Sequence, residues 1–284
     1  MTVDAAQRQY RQEFILGFED RQSILRATCV QESVIKGNEA IFLVADSGSA
    51  TAVTRGVNGL IPARGDTNAQ NTALLQEWHD LVRKTNFNIF ASQGAQRRIM
   101  QQTTMDVVNR KIDDLIIAEL DTATNDTGSA QVASLDLWAY ARTILGNNFV
   151  PLDDENNLFA LITPAYDGYM MQVPEYASAD YVDVKPFTGP ARRFRRWGGF
   201  NWMVHPRLTN SVGAGGTGAS EQCFFYHRNA MGCAVDKDGL DTPVGYDQEQ
   251  AYSYARVSIH MGAKLLQNEG IVMVKHNASA YAAQ

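Results

Sequence analysis

Gly213-Ala-Gly215-Gly-Thr-Gly218 spells G-x-G-x-x-G, the pattern that lets a backbone close on a pyrophosphate at the start of a following helix. The residues after it, SEQCFFYH, read as a strand rather than that helix. The run therefore reads as a flexible surface loop, with a nucleotide-binding enzyme using residues 213–218 as the alternative. G-x-x-x-x-G-K-[ST], G-x-S-x-G and H-E-x-x-H do not occur, which removes the signatures of NTPase, serine-hydrolase and zinc-protease chemistry. His79, His205, His227, His260 and His276 are dispersed, none with a second His or Cys at i+3 or i+4 to form a helical metal face. Asp153, Asp154 and Glu155 could hold a hard cation, but Leu152 before them and Asn156-Asn157 after them mark a solvated loop. The expectation is a chain that is not an enzyme, with no catalytic residue, no cofactor and no metal.

One basic cluster stands apart: Arg192, Arg193, Arg195 and Arg196, interleaved with Phe194 and followed by Trp197. Arginines beside aromatics can grip a nucleic-acid backbone, and the same guanidinium forks can pair with Asp or Glu of a neighbouring subunit. The whole chain favours the second reading. Lys+Arg 25 against Asp+Glu 31 gives a formal charge of -6, so its surface cannot neutralise phosphate at large. An apolar content of 45% with 10% aromatics excludes a disordered or collagen-like chain. Cys29, Cys223 and Cys233 are odd in number and unpaired in spacing, as buried reduced thiols would be. The polar start MTVDAAQRQYRQEF and the lack of a long uncharged run predict neither a signal peptide nor a membrane span.

These groups need elements to hold them. Residues 1–35 read as a polar arm with Phe14, Ile15, Phe18, Ile24 and Leu25 as its apolar positions. Residues 36–75 read as a long two-stranded excursion punctuated by Gly, Ser, Asn and Pro. Within it Ile41, Phe42, Leu43 and Val44 are consecutive, so alternate side chains point to opposite faces and both faces need cover. Either this chain's own core or another subunit can supply it. A strand is expected over 78–89, then a helix over 92–122 with Met105, Val108, Ile112, Leu115 and Ile116 on one stripe and an Asp106–Arg110 pair on the other side. Ser134 caps a further helix that stops at Gly146, 158–162 reads as a buried strand, and Thr163-Pro164 opens another helix. Strands are expected over 181–184, 197–204 and 223–226. The alternation from Ala251 to Met261 and the run IVMVKH close the chain as strands. The fold class is α+β.

This order of elements, with the stretches ATAVTRG, DDLIIAELDTA and CFFYHRNAMGCAVDKDG…YSYARVSIHMGAKLLQNEGIVMVKHN, resembles the major capsid proteins of tailed phages, which carry the Hong Kong 97 phage capsid fold. The resemblance implies an N-terminal arm (1–35), an extended β-hairpin E-loop lying over an adjacent subunit (36–75), a P-domain with its spine helix (76–132), a mixed A-domain near the capsomer centre (133–241) and P-domain closing strands (242–284). It implies self-assembly into hexamers and pentamers of an icosahedral shell around double-stranded DNA, contacted weakly, in a virion assembled in the host cytoplasm. Portal and scaffolding proteins are the implied partners, with decoration proteins as further candidates and no membrane. Ile41, Phe42, Leu43, Val44, Arg55, Arg64 and the four arginines from Arg192 to Arg196 are then the candidate inter-subunit contacts. An encapsulin-like compartment shell, built on the same fold around enzyme cargo, is the alternative.

Overall fold

The computed structural model describes residues 23–32, 35–47, 50–65, 67–86, 96–177, 195–236 and 241–282. In chain order the elements are β1 (Val30–Glu32), β2 (Ile35–Lys36), β3 (Glu39–Asp46), β4 (Thr67–Leu74), β5 (Gln76–Thr85) and the helices α1 (Gln96–Leu120) and α2 (Leu135–Asn147). Then come β6 (Leu158–Ile162), α3 (Pro164–Met170), α4 (Pro174–Ala177), β7 (Arg195–Trp197), β8 (Phe200–Val204), β9 (Glu221–His227) and β10 (Met231–Val235). The chain closes with β11 (Val244–Asp247), β12 (Tyr252–Leu265), β13 (Ile271–His276) and α5 (Ser279–Ala282).

Two five-stranded sheets and a smaller three-stranded one carry the fold. The first has the order β1-β10-β12-β11, with β5 also paired to β12 over Tyr252↔Thr85 to Met261↔Gln76. The expected alternation along β12 holds in part: Ser253, Ala255, Val257, Ile259 and Met261 are buried and Arg256 faces out, but Ala251 precedes the strand and is exposed, and Ser258 of the other face is buried, its Oγ 2.8 Å from His79 Nδ1 across the β5 pairing. The second sheet, β13-β9-β6-β8-β7, is covered on both faces. Phe159, Leu161, Phe224, Tyr226 and Met273 join one core with α1, and Leu158, Ala160, Ile162, Phe225 and Val274 join another with α2 and α3. This is why β6 is a continuous apolar run, LFALI, with every residue buried. Local signals set the helix starts: Ser134 Oγ accepts the Leu137 N–H at 3.3 Å, and Thr163 Oγ1 accepts the Tyr166 N–H at 3.2 Å ahead of Pro164.

At 25 residues α1 is roughly 37 Å long. Val108, Ile112 and Ile116 of the expected stripe are buried, with Met105 and Leu115 packed beside them. Asp106, placed by its spacing with Arg110 on the side away from the stripe, is 6% exposed, and Asp113 is 3% exposed. The reason is that α1 is packed on more than one side. The sheet lies along one flank, and the turn Leu25–Thr28 lies along another with Leu25 and Cys29 wholly buried. An arm reaching to residue 35 is therefore corrected: residues 25–32 belong to the main core and to the first sheet, where β1 runs parallel to β10. The closing segment also divides, β12 going to the first sheet and β13 to the second. β10 and β11 have no counterpart among the expected strands. The expected strand over 181–184 and the polar arm up to residue 22 lie outside the described residues.

His276, on β13, is fully buried with the rings of Tyr166 and Tyr169 edge-on at 5.1 and 5.3 Å. Its Nδ1 donates to the Gln131 carbonyl at 3.2 Å. Burial pushes the imidazole down to about 4, with the Gln131 bond opposing. Between that value and the ordinary value near 6.5 the unfolded chain binds the extra proton, so stability falls as pH drops through this window. The thermal midpoint of the subunit should be flat above pH 7 and decline from about 6.5 towards 4. Calorimetry of His276→Gln should flatten that decline, and identical profiles for the two proteins would remove His276 as its cause.

Candidate inter-subunit surfaces

The excursion is a ladder of β3 against β4, from Glu39↔Leu74 to Asp46↔Thr67. Its foot is anchored by one aromatic. Phe42 is 5% exposed and forms a small satellite core with Ala40, Ala73 and Ala234. Its ring lies over Gly232, where a Cβ would come within 2.8 Å of it, so only glycine lets the ribbon sit this close to the first sheet. The Leu74 carbonyl presses on Gly262 in the same way. Asn71 Nδ2 donates to the Leu266 carbonyl at 3.0 Å, and the Leu75 N–H to the Asn38 carbonyl at 2.8 Å. Of the four consecutive apolar residues, then, Phe42 is covered by this chain, Val44 is half-buried, and Ile41 and Leu43 are exposed.

Past the ladder the described chain over 50–65 forms no strand or helix. The Gly56 N–H donates to the Leu60 carbonyl at 3.0 Å and the Gly59 N–H to the Gly56 carbonyl at 2.8 Å, shaping a tight tip. Val53, Leu60 and Ile61 are 62–73% exposed and Val57 wholly so. Arg55 and Arg64 are exposed on the same stretch.

The arginine cluster divides. Arg192 and Arg193 lie outside the described residues. Arg195 pairs with Asp167 and stacks over the Tyr176 ring at 4.7 Å, while Tyr176 Oη donates to the same carboxylate at 3.2 Å. Burial raises the Asp167 carboxyl and the Arg195 charge opposes it. Arg196 donates to Asn201 Oδ1 at 3.2 Å and to Asn156 Oδ1 at 2.7 Å. Both side chains thus have partners within their own chain, against the expectation of partners on a neighbour. The cause is that β7 folds back as a hairpin on β8, over α3 and α4.

The glycine loop is a packed turn rather than a flexible one. A short 3-10 turn, Val212–Ala214, is capped by Ser211 Oγ accepting the Ala214 N–H at 3.1 Å. The buried Glu221 carboxylate accepts the Val212 N–H at 3.0 Å and the Thr163 hydroxyl at 2.5 Å. A Cβ on Gly213 would meet the Pro206 carbonyl oxygen at 2.5 Å. β9 follows the loop, so the loop does not open a helix as the dinucleotide-binding pattern requires. Asp154 accepts from Asn157 Nδ2 at 2.8 Å, lies 3.5 Å from His227 Nε2, and is held below the ordinary carboxylate range chiefly by the Asn157 bond. Among the described residues no three His, Cys, Asp or Glu side chains are arranged to hold a metal ion. The three cysteines are free and buried, and burial lifts the Cys223 and Cys233 thiols to about 12 and about 11.

Sequence reasoning missed the carboxylate that joins the N-terminal segment to the spine helix. Asp113 accepts from Ser23 Oγ at 2.5 Å and from the Ile24 and Leu25 N–H groups at 2.9 and 3.2 Å, with His205 Nε2 3.7 Å away. Burial alone would raise this carboxyl, but those bonds together outweigh it and hold it below the ordinary carboxylate range. No spacing in the sequence links residue 23 to residue 113; the signal was only that Asp113 falls one residue from the apolar stripe at Ile112.

A family profile described as phage capsid protein matches residues 3–278. Among curated proteins none matches the sequence. A solved structure from Mycobacterium phage Che8 superposes with a TM-score of 0.74 at 15% identity, covering 96% of this chain and 98% of that one. The mature capsid of bacteriophage PhiM1 follows at 0.68, with 14% identity and 94% and 90% covered. The capsid of Ralstonia phage GP4 gives 0.68 at 11% identity, with 96% of each chain covered.

Asp113→Asn should destabilise the subunit by about 3 kcal/mol, because a carboxylate accepting several buried bonds is replaced by an amide that can accept with one oxygen only. Urea unfolding measures this, and a change within 0.5 kcal/mol, the usual size of an unimportant surface substitution, would rule out a bracing role. Phe42→Ala should act locally: proteolysis of the 47–66 segment should quicken roughly tenfold, the disproportion that separates local opening from global unfolding.

Proposed function

Because the chain belongs to the phage capsid protein family, we propose that its uncovered excursion tip lies on an adjacent copy and ties subunits into hexamers and pentamers that close an icosahedral shell around double-stranded DNA. The chain is a structural major capsid protein with the Hong Kong 97-type capsid fold. The single observation that carries the proposal is the exposure of Val53, Val57, Leu60 and Ile61 on one projecting tip. Isolated two-stranded ribbons are marginal in water, and aliphatic side chains on such a ribbon gain cover only by association.

The finer roles follow from this reading. Residues 36–75 act as the E-loop, α1 with the first sheet as the P-domain, and the region around the second sheet as the A-domain, with Ile41, Leu43, Arg55 and Arg64 as contacts to neighbouring copies. Obligate interfaces commonly bury ~2,000–5,000 Å² or more, and a projecting ribbon supplies such area without enlarging the core. The formal charge of -6 suits a shell that holds DNA loosely, since each neutralised phosphate would add a salt-dependent grip that hinders packaging and release. Nothing in this role requires catalysis. Assembly takes place in the host cytoplasm with scaffolding and portal proteins, and decoration proteins are further partners of the finished shell.

Replacing residues 47–66 by a two-residue Asn-Gly turn should leave a folded subunit, because the Phe42 anchor and the ladder remain. Coexpressed with its head-assembly partners, this variant should give no closed shells by electron microscopy where the full chain gives them. Shells of normal size from the shortened chain would refute the proposed role of the tip.

A further inference from the structure

Asn58-Gly59 is the only Asn-Gly pair in the chain, and it stands on the turn that shapes the tip of the excursion. The pair carries a chemistry of its own. The backbone nitrogen that follows an asparagine can attack the side-chain Cγ and close a succinimide ring, an attack that a Cβ on the following residue crowds. Glycine has no Cβ. The surroundings leave the route open: Asn58 and Gly59 are both exposed, and at Gly59, with φ +73°, no heavy atom beyond its chain neighbours lies within 4 Å of the place a Cβ would take. One turn bond, from the Gly59 N–H to the Gly56 carbonyl at 2.8 Å, ties the attacking nitrogen. The stretch 50–65 forms no strand or helix that would add to it, and an exposed turn of this kind belongs to the least costly local openings.

Two asparagines elsewhere show the contrast. Asn71 pairs with Phe42 in the ladder, and its Nδ2 donates to the Leu266 carbonyl at 3.0 Å. Asn201 is 6% exposed, and its Nδ2 donates to the Glu155 and Leu158 carbonyls at 2.7 and 3.0 Å. In both, the amide that would have to leave is bonded, the backbone is fixed in a strand, and the next residue, Thr72 or Trp202, carries a bulky side chain. The tip is also where a new charge weighs most. Over 50–65 the charged residues are Arg55 and Arg64 alone, so one added carboxylate halves the formal charge of the stretch.

We propose that Asn58 is a self-modification site of the unassembled subunit, converted through a succinimide to isoaspartate and aspartate, and that cover of the tip by a second copy arrests the conversion. The Gly59 nitrogen gives its proton to solvent base and bonds to Cγ, the Cγ–Nδ2 bond breaks, and ammonia leaves. Water then opens the ring. Opening at Cγ gives aspartate, and opening at the Asn58 backbone carbonyl gives isoaspartate, whose main chain runs through the former side chain. In sum water is consumed and ammonia released, with no change of oxidation state. A covered tip can neither open its turn nor admit that water, whereas a subunit left outside the shell is altered on the segment that assembly uses. The inference rests on the shell-assembly reading above and adds to it a covalent marker of the uncovered tip.

Peptide mapping by mass spectrometry tests this on dissociated full-length subunits held at mildly alkaline pH, beside closed shells formed with the head-assembly partners and held in the same buffer. In the free subunits residue 58 should convert at least tenfold faster than Asn71 or Asn201, a ratio equal to about 1.4 kcal/mol of local opening, and the products should be a mixture of isoaspartate and aspartate. Conversion should quicken as pH rises, because the attacking nitrogen must lose its proton. In shells it should slow by at least the same factor. Asn58 left intact in the free subunits, conversion no faster than at the two held asparagines, or aspartate alone, the product of direct side-chain hydrolysis, would overturn the inference while leaving the assembly reading in place. Equal conversion in free subunits and in shells would overturn the arrest and, with it, the contact assigned to the tip. If wild-type subunits with their partners form no shells at all, it is the assembly reading that fails, and the free subunits alone decide the chemistry at Asn58.

Discussion

Two strands lying side by side have two surfaces and no interior, so apolar side chains on such a ribbon must be covered by something that is not the ribbon. The excursion meets this constraint in two ways along its length. At the foot, Phe42 closes on Gly232 and gathers Ala40, Ala73 and Ala234 into a small core, with Val30, Leu75 and Leu266 packed against it. Towards the tip Val53, Val57, Leu60 and Ile61 stand open. The body of the molecule is arranged to hold this ribbon out. β5 leaves the foot and runs antiparallel to β12 for ten residues, which ties the ribbon's exit to the longest strand of the fold.

The spine helix organises the rest. Its apolar stripe faces the first core, which it shares with one face of each five-stranded sheet. On another flank it meets the turn at Leu25–Thr28, whose backbone N–H groups would be left without partners at a buried junction. Asp113 takes the N–H of Leu25 and that of Ile24 just before the turn, together with the Ser23 hydroxyl. The N-terminal segment is fastened to the spine through one carboxylate, and to β9 of the second sheet through the hydroxyl pair of Thr28 and Tyr226 at 2.6 Å. Beyond those contacts, Leu25 and Cys29 supply the apolar part of the junction.

The second sheet shows why the molecule is not two separable domains. Alternate residues of β6 and β9 serve different cores: Phe159, Leu161, Phe224 and Tyr226 face the spine helix, while Leu158, Ala160, Cys223 and Phe225 face α2 and α3. A sheet shared in this way transmits position from the spine to the far side, where Arg195, Asp167 and Tyr176 brace the β7–β8 hairpin. The exposed Phe149 lies on that far side, just past the end of α2.

Much of this was legible in the residues alone. The period of β12, the apolar run of β6, the Ser134 and Thr163 caps and the spine-helix stripe are local patterns. Each follows from strand or helix geometry acting on near neighbours in the chain. The resemblance of element order carried the fold class and the family. What local pattern could not reach was long-range pairing. The sheet memberships of β1, β10 and β13, the burial of Asp106 and Asp113, and the intrachain partners of Arg195 and Arg196 depend on segments far apart in sequence. A carboxylate or guanidinium has the same chemistry whether its partner is water, its own chain or a neighbour, and only the packed structure decides which of these is within reach.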